Sequence, residues 1–323
     1  MKTLVYFALT ATALAAGLAN AQTYPTKPVT MVIPFAAGGP TDVVGRLLAQ
    51  SMSKTLGQQV IVENTVGAGG TIAATKVSRA APDGYTVLLH HIGHSTAPSL
   101  YRKLPYDALT SFEMVGLVTD VPMTVVAKGD FAAKDFADLV RNVKANPDKI
   151  NLANAGTGSA SHLCGMLLQD AIGVKVTTVP YKGTGPAMND LLGGQVDIMC
   201  DQTTNTTSYI KSGKIKAYAV TTPKRLAVLP DLPTTREAGL PAFEVAVWHG
   251  MYAPKGTPQE VVTKINGALK VALKDPLVIE RFAGLGTEPV ADARTSPEVH
   301  RQFVTSEIAK WKSVIEKAGV QPE

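Results

Sequence analysis

Apolar and polar residues recur along this chain with two different periods. Short apolar runs, such as the one at 29–33, end at proline or glycine, which is typical of buried strands. Longer segments, such as the one at 41–56, carry apolar residues three and four positions apart, which predicts amphipathic helices. The strands predicted in this way are 29–33, 59–63, 85–90, 122–128, 150–154, 175–180, 196–200 and 215–220. The predicted helices are 41–56, 71–77, 136–145, 162–171, 185–192, 258–274 and 297–318.

Strands that alternate with helices predict an α/β fold built around a largely parallel sheet. The alternation restarts in the middle of the chain, and no low-complexity linker separates the two parts. We therefore expect two α/β lobes joined by a two-strand hinge, with crossings near 118–123 and 243–249. Residues 22–121 and 248–323 are expected to form one lobe, and residues 122–247 the other.

The first residues have the pattern of a secretory signal peptide. Lys2 precedes an apolar run at 4–18, and Ala19-Asn20-Ala21 follows as a small-residue cleavage site. A membrane-spanning helix needs about 20 apolar residues, and this run is shorter. We therefore predict that residues 1–21 are cleaved, that the mature protein begins at Gln22, and that it is exported to the periplasm.

The composition narrows the function further. The 323 residues are 45% hydrophobic and 18% charged, which fits a folded protein and excludes disorder as the main state. The 31 basic and 26 acidic residues leave a net charge of +5, but lysine and arginine are scattered with little aromatic interleaving. This distribution argues against nucleic-acid binding. A mild positive field would instead attract a small anion.

A glycine-rich loop at 34–42 lies between the first strand and the first helix. Gly38 and Gly39 allow a sharp turn that brings backbone N–H groups close to a ligand. Thr41 can cap the helix, whose N-terminus carries free N–H donors and the positive end of the dipole. The loop is therefore a candidate anion site, with a purely structural turn as the alternative.

A second loop, at 154–162, has the same setting between a strand and a helix. The hydroxyl groups of Thr157, Ser159 and Ser161 can donate to a carboxylate alongside the loop N–H groups. A third glycine turn at 181–186 adds a similar connection. Because such loops recur in both predicted lobes, we expect two helix N-termini to grip an acidic ligand across a cleft.

Motifs of common enzyme classes do not occur in the sequence. Gly156-x-Gly158-x-x-Ser161 lacks the third glycine of a dinucleotide fingerprint, and there is neither a P-loop nor a G-x-S-x-G elbow. Ser161 and His162 are adjacent, and neighbours on a helix do not face each other as a catalytic pair would. We therefore expect no enzymatic activity and no cofactor.

Three histidines, His90, His91 and His94, follow the third predicted strand. No His-Glu-x-x-His pattern surrounds them, so we expect no metal site there. We expect them either to line the mouth of the cleft or to have a structural role.

Cys164 and Cys200 are the only two cysteines, too few for a disulfide-dense scaffold or a four-cysteine zinc site. Both belong to the second predicted lobe, and the periplasm is oxidising. We therefore predict a disulfide between them, with two buried free thiols as the alternative.

Several short motifs resemble those of the tripartite tricarboxylate transporter solute receptors, the Bug family. The segment Ile33-Pro34-Phe35-x-x-Gly38-Gly39-x-Thr41-Asp42 looks like the first loop of these receptors. Further similar motifs are Tyr24–Val29, Glu63-Asn64 with Gly67–Gly70, Ala81–Thr86, Leu104–Asp107, Val179–Gly183, Gly193–Asp197 and Leu232–Gly239. The resemblance covers nearly the whole mature chain.

The resemblance implies a type II periplasmic binding protein fold that delivers carboxylates to a membrane permease. It also implies that both glycine loops hold the ligand carboxylate. The positions that match are Gly38, Gly39 and Thr41 in the first loop and Thr157, Ser159 and Ser161 in the second. The segment at 90–94 departs from the Thr/Ser/Asn-rich stretch of the family, which affects the choice of ligand rather than the fold.

We therefore expect a periplasmic, monomeric receptor that captures a small carboxylate and hands it to a tripartite-type permease. The other residues expected at the ligand are Phe35, Asp42, His91, Asp201 and Gln202. Imidazole and indole faces, the latter from Trp248, can stack on an aromatic ring, so we expect an aromatic mono- or dicarboxylate of the phthalate type first. Aliphatic di- or tricarboxylates are the alternative ligands. A secreted α/β enzyme acting on a small organic acid, or a sensor subunit that presents the ligand to a signalling partner, are the alternative functions.

Overall fold

The computed structural model describes residues 24–322, so the predicted signal peptide and its cleavage site lie outside the described residues. The strands are β1 (Val29–Ile33), β2 (Val60–Asn64), β3 (Thr86–His91), β4 (Phe112–Lys128), β5 (Asn151–Asn154), β6 (Thr177–Pro180), β7 (Ile198–Gln202), β8 (Ile215–Val220) and β9 (Ala246–Pro254). The α-helices are α1 (Pro40–Leu56), α2 (Thr71–Ser78), α3 (Gly93–Leu100), α4 (Phe136–Ala145), α5 (Ala160–Ile172), α6 (Thr184–Leu192), α7 (Thr203–Lys211), α8 (Gln259–Lys274), α9 (Pro276–Gly284) and α10 (Pro297–Lys317). This arrangement confirms the predicted α/β class. None of the helices within 24–322 is long and apolar enough to cross a membrane.

The described strands form one sheet in the order β2-β1-β3-β9-β4-β7-β5-β6, and β8 also pairs with β4. Strands β1, β2 and β3 are parallel to one another, as are β5, β6 and β7. The long strands β4 and β9 run antiparallel to their neighbours and join the two parallel sets. The glycine loops after β1, β5 and β6 therefore all lie at carboxyl ends of parallel strands, where ligands of α/β proteins bind.

Strand β4 begins ten residues earlier than the predicted strand at 122–128. Its first part pairs with β9 as far as Pro122, and from Met123 it pairs with β7. Nearly every side chain along β4 is buried, because both faces of the sheet are covered. A strand buried on both faces loses the alternating pattern that would have shown where it begins.

Three helices were not predicted from the sequence: α3, α7 and α9. Helix α3 is short and contains Pro98, and α7 is rich in threonine, which has a low intrinsic preference for helices. Most residues of α3 and the first five of α7 are buried. Tertiary packing therefore stabilises these two segments against their local preference.

The predicted disulfide joins Cys164 in α5 to Cys200 in β7, with the Cα atoms 5.8 Å apart and both side chains buried. The bridge ties α5 to the neighbouring strand of the sheet. The two cysteines are 36 residues apart in sequence. Closing a loop of that length in the unfolded chain stabilises the folded state by about 3–4 kcal/mol in the chain-entropy model.

Removing this bridge is expected to lower the free energy of unfolding by that amount. The measurement is urea unfolding of the oxidised protein, of the protein held in reducing agent, and of a Cys164→Ala/Cys200→Ala variant. The variant serves as the control, because reducing agent should leave its unfolding curve unchanged. An identical curve for the wild type with and without reductant would contradict a stabilising bridge.

Candidate ligand-binding site

A small cavity of about 10 Å³ lies between the carboxyl ends of the two parallel strand sets. This is about the space of one water molecule, far below the roughly 300–1,000 Å³ of pockets for drug-sized ligands. Its lining comes from both halves of the sheet and comprises Phe35, Pro40, Thr41, His91, Ala155, Ser159, Ala160, Ser161, Thr184 and Gln202. A small ligand at this position would contact both halves at once, after the two halves had moved apart to admit it.

Four helices point their N-termini at this cavity. Helix α1 contributes Thr41, α5 contributes its cap Ser159, α6 contributes Thr184, and α7 contributes its cap Gln202. The free N–H groups and the positive dipole end of each helix favour an anion. No lysine or arginine is among the lining residues. The site can therefore bind a carboxylate through dipoles and hydroxyl groups without a counter-ion.

The β1–α1 loop is held in place by Asp42. Its carboxylate accepts hydrogen bonds from the backbone N–H of Gly38 at 2.9 Å, from Arg46 at 2.8 Å and from Asn64 at 2.9 Å. Burial alone would raise the pKa of Asp42, but these hydrogen bonds hold it below its ordinary value. The carboxylate is fully engaged with the loop and is not among the groups that line the cavity. Gly38 and Gly39 likewise shape the turn without lining it.

The β5–α5 loop presents two hydroxyl groups close together. Ser159 Oγ accepts the backbone N–H of His162, and Ser161 Oγ accepts that of Ala155 at 2.8 Å. The two oxygens are 3.2 Å apart and buried. Because each oxygen already accepts an N–H, its own proton remains available for the neighbouring serine or for a ligand. Thr157 lies outside this cavity, in an adjacent one at the surface of the cleft.

Histidines surround the opposite wall. His91 is buried, stacks on Phe35 with ring centres 4.6 Å apart, and meets His249 edge to face. Nε2 of His249 lies 3.2 Å from Oγ1 of Thr41, so this histidine positions a hydroxyl group at the cavity. Burial lowers the pKa of His91 well below 6.5, and the neighbouring His249 adds to that shift.

Within 24–322 no group of three metal-ligating side chains is placed to hold a metal ion.

Residues 201 and 202 point in opposite directions, as successive residues of a strand do. Gln202 lines the cavity, whereas Asp201 is buried away from it and accepts a hydrogen bond from Asn205 at 2.6 Å. Burial raises the pKa of Asp201 to about 7. Trp248 is also directed elsewhere, since its indole N–H donates to Glu307 at 2.9 Å.

The structure thus gathers six of the predicted ligand residues around the cavity, namely Phe35, Thr41, His91, Ser159, Ser161 and Gln202. Thr184 also lines the cavity, and it was not among the residues predicted at the ligand. The signal was present, because Thr184 lies in the third glycine turn at 181–186. It was missed because nothing local shows that α6 points at the same cavity as α1 and α5.

The loops of the two proposed lobes touch above the cavity. The hydroxyl group of Tyr101 donates to the carbonyl oxygen of Thr157 at 2.8 Å, and the N–H of Ala36 donates to that of Lys182 at 3.3 Å. Gly69 packs against the same Thr157 carbonyl. These contacts enclose the cavity between residues that are far apart in sequence.

Comparison with known proteins places the chain in a family. Residues 44–320 match TctC, the tripartite tricarboxylate transporter family receptor. A protein of Agrobacterium vitis, named UPF0065 protein in the TAR-I ttuE-ttuC' intergenic region, is 55% identical over 312 residues, which are 96% of this chain and 90% of that protein.

Solved structures agree with this match. The periplasmic binding protein BugD is 57% identical, with a TM-score of 0.91 over 93% of this chain and 100% of that one. MatC of Rhodopseudomonas palustris with bound malate is 44% identical, with a TM-score of 0.88 over 90% and 100% of the two chains. An R. palustris protein with adipate is 34% identical, with a TM-score of 0.88 over 93% and 100%. The chain therefore belongs to the tripartite tricarboxylate transporter receptor family and is a solute-binding receptor of the Bug type.

Proposed function

We propose that this receptor captures a small carboxylate in the periplasm and delivers it unchanged to a tripartite tricarboxylate permease. The observation that carries the proposal is the convergence of four helix N-termini and two serine hydroxyl groups on one small cavity. Such a site stabilises a negative charge. The family that the chain belongs to consists of solute receptors, which supports binding rather than turnover.

The ligand that these features favour is an aliphatic dicarboxylate in the size range from malate to adipate. The case for an aromatic acid depended on ring faces from His91 and Trp248. One face of His91 is covered by Phe35, and Trp248 hydrogen bonds to Glu307 outside the cavity. Relatives with 44% and 34% identity have malate and adipate bound. Aromatic acids of the phthalate type are the second candidates.

Capture is proposed to occur by closure of two lobes, residues 22–121 with 248–323 and residues 122–247, in a monomeric protein. Strands β4 and β9 pair along 112–122 and would form the hinge. The anion donors are divided between the lobes, because Thr41 lies on one side and Ser159 and Ser161 on the other. A carboxylate that contacts both sides would therefore favour the closed form.

A ligand panel tests this function. Malate, succinate, adipate, citrate, phthalate and benzoate are each added to the mature protein, and the melting temperature and the heat of binding are measured. A true ligand at a hundredfold excess over its Kd adds about 2.7 kcal/mol to the free energy of unfolding. NMR of the recovered acid should show it unchanged. A panel in which no acid binds, or in which the acid is converted, would overturn the proposal.

Ser161→Ala is expected to weaken binding of the best acid of that panel about 10- to 150-fold. The reason is the loss of one hydrogen bond to a charged group, worth about 1.5–3 kcal/mol. Calorimetry measures the affinity, and the melting temperature without ligand shows whether the fold is retained. Ser306→Ala, an exposed site on α10, is the matched control and should bind like the wild type. Equal affinities for both variants would place the carboxylate elsewhere.

A further inference from the structure

His91 is held at the cavity wall with little freedom to rotate. It ends β3 and is almost fully buried. Its ring stacks on Phe35 at 4.6 Å, and His90 and His249 meet it edge to face at 5.0 and 5.8 Å. Aromatic neighbours on three sides fix the plane of the imidazole and therefore the directions in which its two nitrogens point.

The backbone fixes the position of the ring proton. The N–H of Gly93 donates to Nδ1 of His91 at 2.9 Å. A nitrogen that accepts an N–H carries no proton of its own, so the neutral ring must carry its proton on Nε2. The same arrangement occurs one residue earlier, where the N–H of His91 donates to Nδ1 of His90 at 2.8 Å.

Glycine at position 93 makes this arrangement possible. A Cβ there would lie 2.8 Å from the carbonyl oxygen of Gly158 and 2.9 Å from the ring carbon Cε1 of His91. Any larger residue would therefore push the chain away from the ring and lengthen the Gly93–His91 hydrogen bond. The segment 91–93 thus holds the ring of His91 in one tautomer.

Among residues 24–322 the ring of His91 is hydrogen-bonded through Nδ1 and not through Nε2, and the residue lines the cavity. The groups that face the ring are Phe35 and Thr41 from the first loop, His90 and His94 from β3 and α3, His249 from β9, and Gln202 from β7. None of these is a carboxylate, lysine or arginine, and burial lowers the pKa of the ring more than the hydrogen bond with the backbone of His91 itself raises it. A second proton on Nδ1 would also break the bond from Gly93.

We propose that His91 is the specificity-determining residue of this cavity: a neutral imidazole, locked as the Nε2–H tautomer by Gly93, that donates one hydrogen bond to an acceptor oxygen of the ligand. The inference rests on the proposed function. It assigns the recognised group as a hydroxyl, keto or carboxylate oxygen. The hydrogen bond from His91 does not require a positive charge on the ring. Binding should then take up no proton near neutral pH.

The tautomer is tested without any ligand. Nitrogen-15 NMR of the free protein at pH 7 distinguishes a protonated from an unprotonated ring nitrogen, and the His91→Gln spectrum identifies the His91 signals. The expected result is a protonated Nε2 and an unprotonated Nδ1. A proton on Nδ1, or a doubly protonated ring, overturns the inference.

The donor role is tested with two variants and with malate and adipate as probes. In His91→Gln the side-chain amide offers an N–H near the position of Nε2, whereas His91→Met keeps the bulk without a donor. We expect the glutamine variant to stay within about threefold of the wild type. The methionine variant should lose about 10- to 150-fold where the acceptor is a carboxylate oxygen, and about 2- to 12-fold where it is a neutral oxygen. Equal losses in both variants overturn the donor role.

Proton uptake gives a third readout. In an Asp201→Asn variant, which lacks the neighbouring carboxyl group with a pKa of about 7, affinity should be constant between pH 6.5 and 8, and the binding heat should be independent of the buffer's ionisation enthalpy. A tenfold gain in affinity for each unit by which the pH falls would show that the ring becomes charged, and would overturn the inference. Failure of every acid to bind would instead defeat the proposed function, and the NMR result would still decide the tautomer.

Discussion

Gly69→Ala is expected to weaken carboxylate binding by two to four orders of magnitude without altering any group that lines the cavity. A Cβ at Gly69 would clash with the carbonyl oxygen of Thr157, at a distance far below the 3.0 Å minimum seen for real Cβ atoms. It would also lie 2.9 Å from the hydroxyl group of Tyr101. The carbonyl belongs to backbone and cannot move aside alone, so the two lobes would have to separate. Losing two charge-assisted hydrogen bonds across the cleft costs about 3–6 kcal/mol.

Gly57→Ala is the matched control for this variant. Gly57 has a φ of 68°, close to the 58° of Gly69, so both substitutions place alanine in the left-handed region. A Cβ at Gly57, however, meets nothing within 4 Å. Calorimetry should show normal affinity for Gly57→Ala, and small-angle scattering should show Gly69→Ala to be more open with ligand present. Full affinity in Gly69→Ala would mean that contact at Thr157 is not needed for capture.

Steep acid unfolding near pH 5 is the second large effect that we expect. Five of the six histidines are buried, namely His90, His91, His94, His249 and His300. Burial lowers the pKa of every one of them, to about 4 for His94 and about 3 for His249 and His300. The folded protein keeps these rings neutral at a pH where the unfolded chain protonates them.

The sign of the effect follows from proton linkage. A histidine with a lowered folded pKa contributes full stability above its unfolded pKa of about 6.5 and loses it as the pH falls. At pH 5 the loss is about 2 kcal/mol for each of His94, His249 and His300, or about 6 kcal/mol for the three, and His90 and His91 act in the same direction. A loss of this size is comparable with the total stability of a typical protein. Asp201, whose pKa is raised to about 7, acts in the opposite direction, but it is one group against five.

Urea unfolding between pH 8 and pH 5 measures this loss. His300→Phe provides a sharp comparison, because neither ring nitrogen of His300 has a hydrogen-bond partner within 24–322 and the ring packs against Tyr252 at 4.7 Å. The free energy of unfolding of the variant should fall less steeply as the pH is lowered, because about one proton fewer is taken up on unfolding. A stability that is flat from pH 7 to pH 5 in the wild type would mean that the buried rings are already hydrated or charged.

The sequence by itself determined the features that depend on neighbouring residues. The periodic apolar pattern gave the α/β class and most helices and strands to within a few residues. The loops at 34–42 and 154–162 were recognisable as candidate anion sites, because glycines and capping hydroxyl groups act on the N–H groups next to them. The Cys164–Cys200 bridge was also accessible, since only one pairing was possible within the chain.

Only the tertiary structure decided which side chains of those loops face the cavity. Asp42 turns back to hold Gly38, and Trp248 reaches Glu307 on a helix 59 residues further along the chain. Thr184 and Gln202 join the cavity because α6 and α7 pack beside strands that pair over long distances. The free energy of burying these strands and helices outweighs local preference, as the threonine-rich α7 shows. Contacts between residues far apart in sequence leave no local pattern, so the inward-facing donors became visible only in the folded protein.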